Sequence, residues 1–84
     1  LSLEPMTSFE QALSHHRRGD TAGAVALYRQ LLAAQPENAE VHAYLGTALN
    51  NEEGLAHIRR AIALAPKNPL FFLFAANLAK PAEA

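Results

Sequence analysis

Tyr28–Leu49, YRQLLAAQPENAEVHAYLGTAL, and Ile58–Ala79, IRRAIALAPKNPLFFLFAANLA, align without a gap. Tyr28 falls on Ile58, Leu31 on Ala61 and Leu32 on Ile62, while Pro36 and Asn38 fall on Pro66 and Asn68. Further on, Leu45-Gly46 meets Ala75-Ala76, and Ala48 meets Leu78. In each copy apolar residues recur at helical spacing up to the proline and resume after the asparagine. Each therefore reads as the end of one helix, a Pro-x-Asn turn and a second helix. Two such turns in register are hard to obtain by chance, and they mark an internal repeat of stacked helical units. No segment alternates with a period of two, so the expected fold class is all-α.

Working outward from the repeat, the chain reads as five helices. Thr7-Ser8-Phe9-Glu10 is a capping box, in which the Thr7 oxygen accepts from the Glu10 amide and the Glu10 side chain reaches back. Phe9, Ala12, Leu13 and His16 form the apolar stripe of the first helix, and Arg17-Arg18-Gly19-Asp20 ends it with cations and a glycine. Asp20 or Thr21 caps the second helix, whose stripe is Ala24, Leu27, Tyr28, Leu31 and Leu32. Asn38 caps the third, with Val41, Tyr44, Leu45, Ala48 and Leu49 at the same spacing. Leu55, Ile58, Ala61, Ile62 and Ala65 form the stripe of the fourth. Asn68-Pro69 announces a fifth helix, LFFLFAANLA, which is apolar almost all round.

The units resemble the tetratricopeptide repeat, a helix–turn–helix of 34 residues. The small residue that lets two helices of that family pack closely is matched by Ala12, Gly46 and Ala76. The family's Gly-Asp turn is matched by Gly19-Asp20, its small and aromatic residues on the second helix by Ala24 and Tyr28, and its closing proline by Pro36. The first unit is a good match, and the resemblance covers nearly the whole chain as two repeats and the first helix of a third. The expected organisation is a single domain over residues 7–80, with residues 1–6 and 81–84 as tails. Its first repeat spans about residues 4–38, its second about 39–68, and a half repeat covers 69–80. Met6 is open as a natural start, with Leu1–Pro5 then an added leader.

The second unit departs from the family. Pro36 and Pro66 are 66 − 36 = 30 residues apart, four short of the family period. The missing piece falls at Leu49–Leu55, LNNEEGL, where the turn and about one helical turn around it are lost. Asn50 and Asn51 can cap a helix or enter left-handed geometry. The third helix is therefore expected to end near Leu49 and the fourth to begin near Glu52, with Gly54 as the small packing residue. The alternative is one bent helix running through both.

Composition narrows the functional classes. Seven Lys and Arg against eight Asp and Glu give a formal charge of −1. Arg17-Arg18 and Arg59-Arg60 are pairs and not runs, which argues against a nucleic-acid surface. No long uncharged apolar stretch spans a membrane, and the start has no signal-peptide pattern, so a cytoplasmic protein is expected. With no Cys there is no disulfide, thiolate metal site or thiol nucleophile. His15 and His16 point about 100° apart on one helix, and His42 and His57 show no metal-ligand spacing. Ser8 and Ser14 lack a nucleophile elbow, and the glycines form no phosphate-binding run. No enzyme, cofactor or metal is expected.

What remains is binding. By the resemblance, the first helix of each unit lines a groove for a peptide or partner protein. The lining residues would be Phe9, Leu13, His16 and Arg17, then Ala43, Thr47, Asn50 and Asn51, then Leu73, Asn77 and Lys80. Relatives that clamp an acidic carboxyl terminus use Lys and Asn where Phe9 and Leu13 stand here. On the fifth helix, Phe72, Ala75, Ala76 and Ala79 are expected to pack on the fourth. Phe71, Leu73, Phe74 and Leu78 would then form an uncovered apolar interface. The expected function is a docking or scaffolding module in a larger protein or assembly. A homodimerisation module built on the fifth helix is the alternative. Since similar repeats precede transferase or hydroxylase domains, a non-catalytic fragment of such an enzyme is a third.

Overall fold

The computed structural model describes residues 7–79, which form five α-helices and no strand. They are α1 (Ser8–Arg17), α2 (Thr21–Ala34), α3 (Ala39–Leu49), α4 (Glu52–Leu64) and α5 (Pro69–Ala79). The tails assigned to residues 1–6 and 81–84, and Lys80, lie outside the described residues.

Local chemistry fixes the helix ends. The Thr7 hydroxyl accepts from the Glu10 amide at 3.1 Å, and the Glu10 carboxylate accepts from the Thr7 amide at 2.9 Å, so the capping box closes. Gly19, at φ 87°, turns the chain after α1. Asp20 then accepts from the Gly23 amide at 3.0 Å and caps α2. The Asp20 carboxyl is held below its ordinary value by that amide first and by His15 second. Asn38 caps α3 by accepting from Val41 at 3.2 Å, and Asn68 accepts from the Leu70 amide at 3.0 Å.

The LNNEEGL stretch makes the tight turn. Asn50 ends α3 in the left-handed region at φ 53°, ψ 44°. Asn51 is extended, and its side-chain oxygen accepts from the Gly54 amide at 2.8 Å to start α4. One asparagine stops a helix and the next begins one, so the single-bent-helix alternative does not occur. A turn this short brings the two backbones together. A Cβ on Gly46 would run into the Ile58 side chain and the Gly54 carbonyl oxygen, and one on Gly54 would meet the Gly46 carbonyl oxygen. Glycine at both positions is what permits the approach.

α3 lies at the centre. Val41, Leu45 and Ala48 join Ala12, Ala24 and Tyr28 in one buried cluster, while Ala43 joins Ala61 and Phe71 in a second. Two neighbouring layers therefore cover α3 on both sides, and six of its eleven residues are buried. His42 is among them. The Tyr28 ring is wholly buried, its hydroxyl has no hydrogen-bond partner among the described residues, and burial pushes its pKa up to about 12.

α5 is rotated from the expected orientation. Phe71, expected at an open interface, is 1% exposed and belongs to the core, whereas Phe72, expected against α4, is 49% exposed. Ala76 and Ala79 are also exposed, and of the four residues expected to pack on α4 only Ala75 is partly covered. The reason is the repeat itself. Phe71 stands thirty residues after Val41 and takes the inward position that Val41 takes in α3.

Candidate interaction surface

The first helices of the units, α1, α3 and α5, lie side by side and carry an aromatic row. The Phe9 and Tyr44 rings meet edge to face at 5.4 Å, and Tyr44 meets Phe74 in the same way, also at 5.4 Å. Such edge-to-face pairs each contribute about 0.5–1.5 kcal/mol beyond their area. All three rings are half-buried, so their covered side ties the helices together while the other side faces out. Tyr28 backs the row from α2, 6.0 Å from Phe9, and Phe71 backs it 6.5 Å from Phe74. Tyr44 reads in sequence as a core-stripe residue; its place in the row depends on α1 and α5 reaching it from opposite sides.

The residues expected to line a groove do not share one role. Phe9, Leu13 and His16 are half-buried along α1, and Arg17 is exposed at its end. Ala43 is fully buried beneath Ala61 and Phe71 and lines nothing. The half-buried Thr47 hydroxyl donates to the Tyr44 carbonyl at 2.8 Å. Asn50 and Asn51 are exposed, but they build the α3–α4 turn. Asn77 is exposed on α5.

The apolar set on α5 divides as well. Phe71 is core, Phe74 is half-buried against Tyr44 and Phe71, and Leu78 is half-buried. Leu73 is 61% exposed, and Phe72 and Leu70 (39% exposed) accompany it. These three large apolar side chains lie on one short helix. A cluster of exposed large apolar side chains of this kind is a feature of interaction surfaces.

A pairing missed in sequence lies on the other side of α3. The His42 and His57 rings stack 5.3 Å apart, with their Nδ1 atoms at 3.1 Å. His42 Nε2 lies 2.8 Å from the Pro36 carbonyl, which can only accept, so Nε2 carries the proton and neutral His42 offers Nδ1 as acceptor to His57. His57 also faces Glu53 at 3.9 Å, and Glu53 in turn meets Arg29 at 3.3 Å. Burial first, and then the neighbouring His42, hold the His57 pKa below its ordinary value. The signal was the turn. Gly46 faces Gly54 across that turn, and His42 and His57 lie further along the same two helices.

Among the described residues, no group of three or more His, Asp or Glu side chains is placed to hold a metal ion. The depression at the α4–α5 turn is open and lined by Ala65, Pro66, Lys67, Asn68 and Pro69, with one ionisable group among them. No helix among the described residues is long and apolar enough to cross a membrane.

The profile of the tetratricopeptide repeat family matches residues 7–48, half of the 84-residue chain. The chain belongs to the tetratricopeptide repeat family. No curated protein matches it. The matched span takes in α1, α2 and nearly all of α3, so the shortened turn and the two helices after it lie beyond the match. As a tetratricopeptide repeat protein it is an interaction module built to bind protein, of a kind that is generally non-catalytic.

Proposed function

We propose that this tetratricopeptide repeat module docks a partner protein on α5 and the adjoining edge of the aromatic row. The observation that carries the reading is the exposure of Leu70, Phe72 and Leu73 on a helix otherwise held by Phe71 and Phe74. Phe9, Leu13, Thr47 and Asn77 supply the continuing surface across the first helices. The reading is of a scaffold and not a catalyst.

A photo-cross-linking side chain placed at Leu73, and separately at Arg60 on α4, tests this in the cells the protein comes from. Both positions are exposed. Protein adducts should form from Leu73 and not from Arg60. Equal labelling from both would overturn the assignment of the surface. Adducts with a second copy of the chain would favour the homodimer.

A further inference from the structure

Three first helices occupy corresponding places in the repeat, and two of them have a mate. In the first unit Ala12 is buried in one cluster with Ala24 and Tyr28, and Phe9 lies against the Tyr28 ring. In the second unit His42 stacks on His57, Ala43 clusters with Ala61, and Gly46 abuts Gly54 and Ile58. Moving thirty residues on from α3 puts Phe72, Leu73 and Ala76 at the places of His42, Ala43 and Gly46. All three are exposed. The uncovered face of α5 is thus, residue for residue, the face that α4 covers on α3.

The mates also share a pattern. α2 offers Ala24 and then Tyr28, and α4 offers Gly54 and then Ile58, each a small residue followed four positions later by a large one. That spacing puts both on one face of a helix, one turn apart. Which mate suits α5 is decided by its own side chains. The close approach in the second unit needs glycine on both helices, since a Cβ on Gly46 collides with Ile58 and Gly54. α5 has Ala76 there and the large Leu73 beside it, as α1 has Ala12 and the large Phe9. The α5 face therefore matches the first unit, whose mate carries alanine and tyrosine.

We infer that the α5 face is a seat for a single amphipathic helix of a partner protein, packed antiparallel, with a small residue over Ala76 and a large apolar or aromatic residue four positions later beside Leu73. Antiparallel packing follows from the contact order of the first unit, where Phe9, ahead of Ala12, meets Tyr28, which comes after Ala24. The partner's opposite face is polar, as α2 is around Arg29 and Gln30, both exposed. This inference rests on the reading of α5 as the docking face and specifies what docks there.

The chain contains the probe. A fluorescein-labelled peptide of Gly19–Pro36, which is α2 with its cap and closing proline, is titrated into the full chain and followed by anisotropy. Saturable binding is expected, with a midpoint on the order of 10–100 µM because a lone helix this short must also be ordered. Tyr28→Ala in the peptide should weaken binding at least about tenfold. Leu73→Glu or Ala76→Glu in the chain should do the same with helical circular dichroism unchanged, since both side chains are exposed. Binding unaffected by either chain variant would mean that the peptide displaces α2 from α1, and would overturn the inference. So would absence of binding, or a chain mass that doubles and returns to monomer with Leu73→Glu, which would make a second copy the occupant. Loss of peptide binding alongside cross-links from Leu73 would overturn the helical mate and leave the docking face standing.

Discussion

α3 and α5 are the same helix in two circumstances. Val41 and Phe71 both point into the core, yet on the far side Gly46 is buried and Ala76 is exposed. Among the described residues, α3 has a layer on each side and α5 has one. Burial along these two helices follows repeat position before side-chain character. A histidine sits inside α3 because α4 covers its place, while a phenylalanine sits outside on α5 at the corresponding place.

Breaking the covered side should produce the largest effect. Gly46→Leu drives a branched side chain into the Gly54 backbone and Ile58, neither of which can retreat without separating α3 from α4. Overpacking of this kind costs about 1–3 kcal/mol, and more against backbone. For a domain this small that should abolish cooperative thermal unfolding, as followed by circular dichroism. Phe71→Ala comes next. Phe71 is the only large side chain of α5 that is wholly buried, so truncation should cost about 3–5 kcal/mol in urea titration. The same substitution at Phe72 should cost far less, which measures the rotation of α5 directly.

Smaller effects sharpen the account of the α3–α4 pair. Asn51→Ala removes the cap of α4 and should cost about 1 kcal/mol, read from the same titration. The His42–His57 contact predicts a pH dependence. His57 binds a proton less readily when folded than when unfolded, so lowering the pH below the unfolded value of about 6.5 favours the unfolded chain. Above that pH its contribution is flat, and the loss of stability grows as the pH falls toward the folded value. His57→Phe should reduce this slope in melting temperature between pH 7 and pH 5. Tyr28→Phe removes a buried hydroxyl with no partner and should leave stability unchanged or raise it by about 1 kcal/mol.

Much of this fold is legible in the sequence because its signals are local. Thr7 with Glu10, Asp20, Asn38 and the Asn50-Asn51 turn each declare a helix boundary through their own hydrogen-bonding chemistry. The orientation of α5 is not local. A helix apolar on every side has no stripe to say which face turns inward, and only its alignment with α3 places Phe71 inside. Groove residues were hardest to read because one side chain can serve two ends. Asn50 and Asn51 suit an extended peptide, but here they stop α3 and start α4, and Thr47 donates to the backbone of its own helix. The histidine pair was not legible although the reversal was, because the stacking depends on how α3 and α4 are rotated against each other.

Native-state hydrogen exchange of the chain alone, at two protein concentrations, tests most directly whether the outer face of α5 stands uncovered. The Leu45 and Gly46 amides are expected to exchange only through global unfolding. The Asn77 and Leu78 amides should exchange orders of magnitude faster through local opening, at rates independent of concentration. Protection of α5 equal to that of α3, or protection that rises with concentration, would show its outer face already covered and contradict the account.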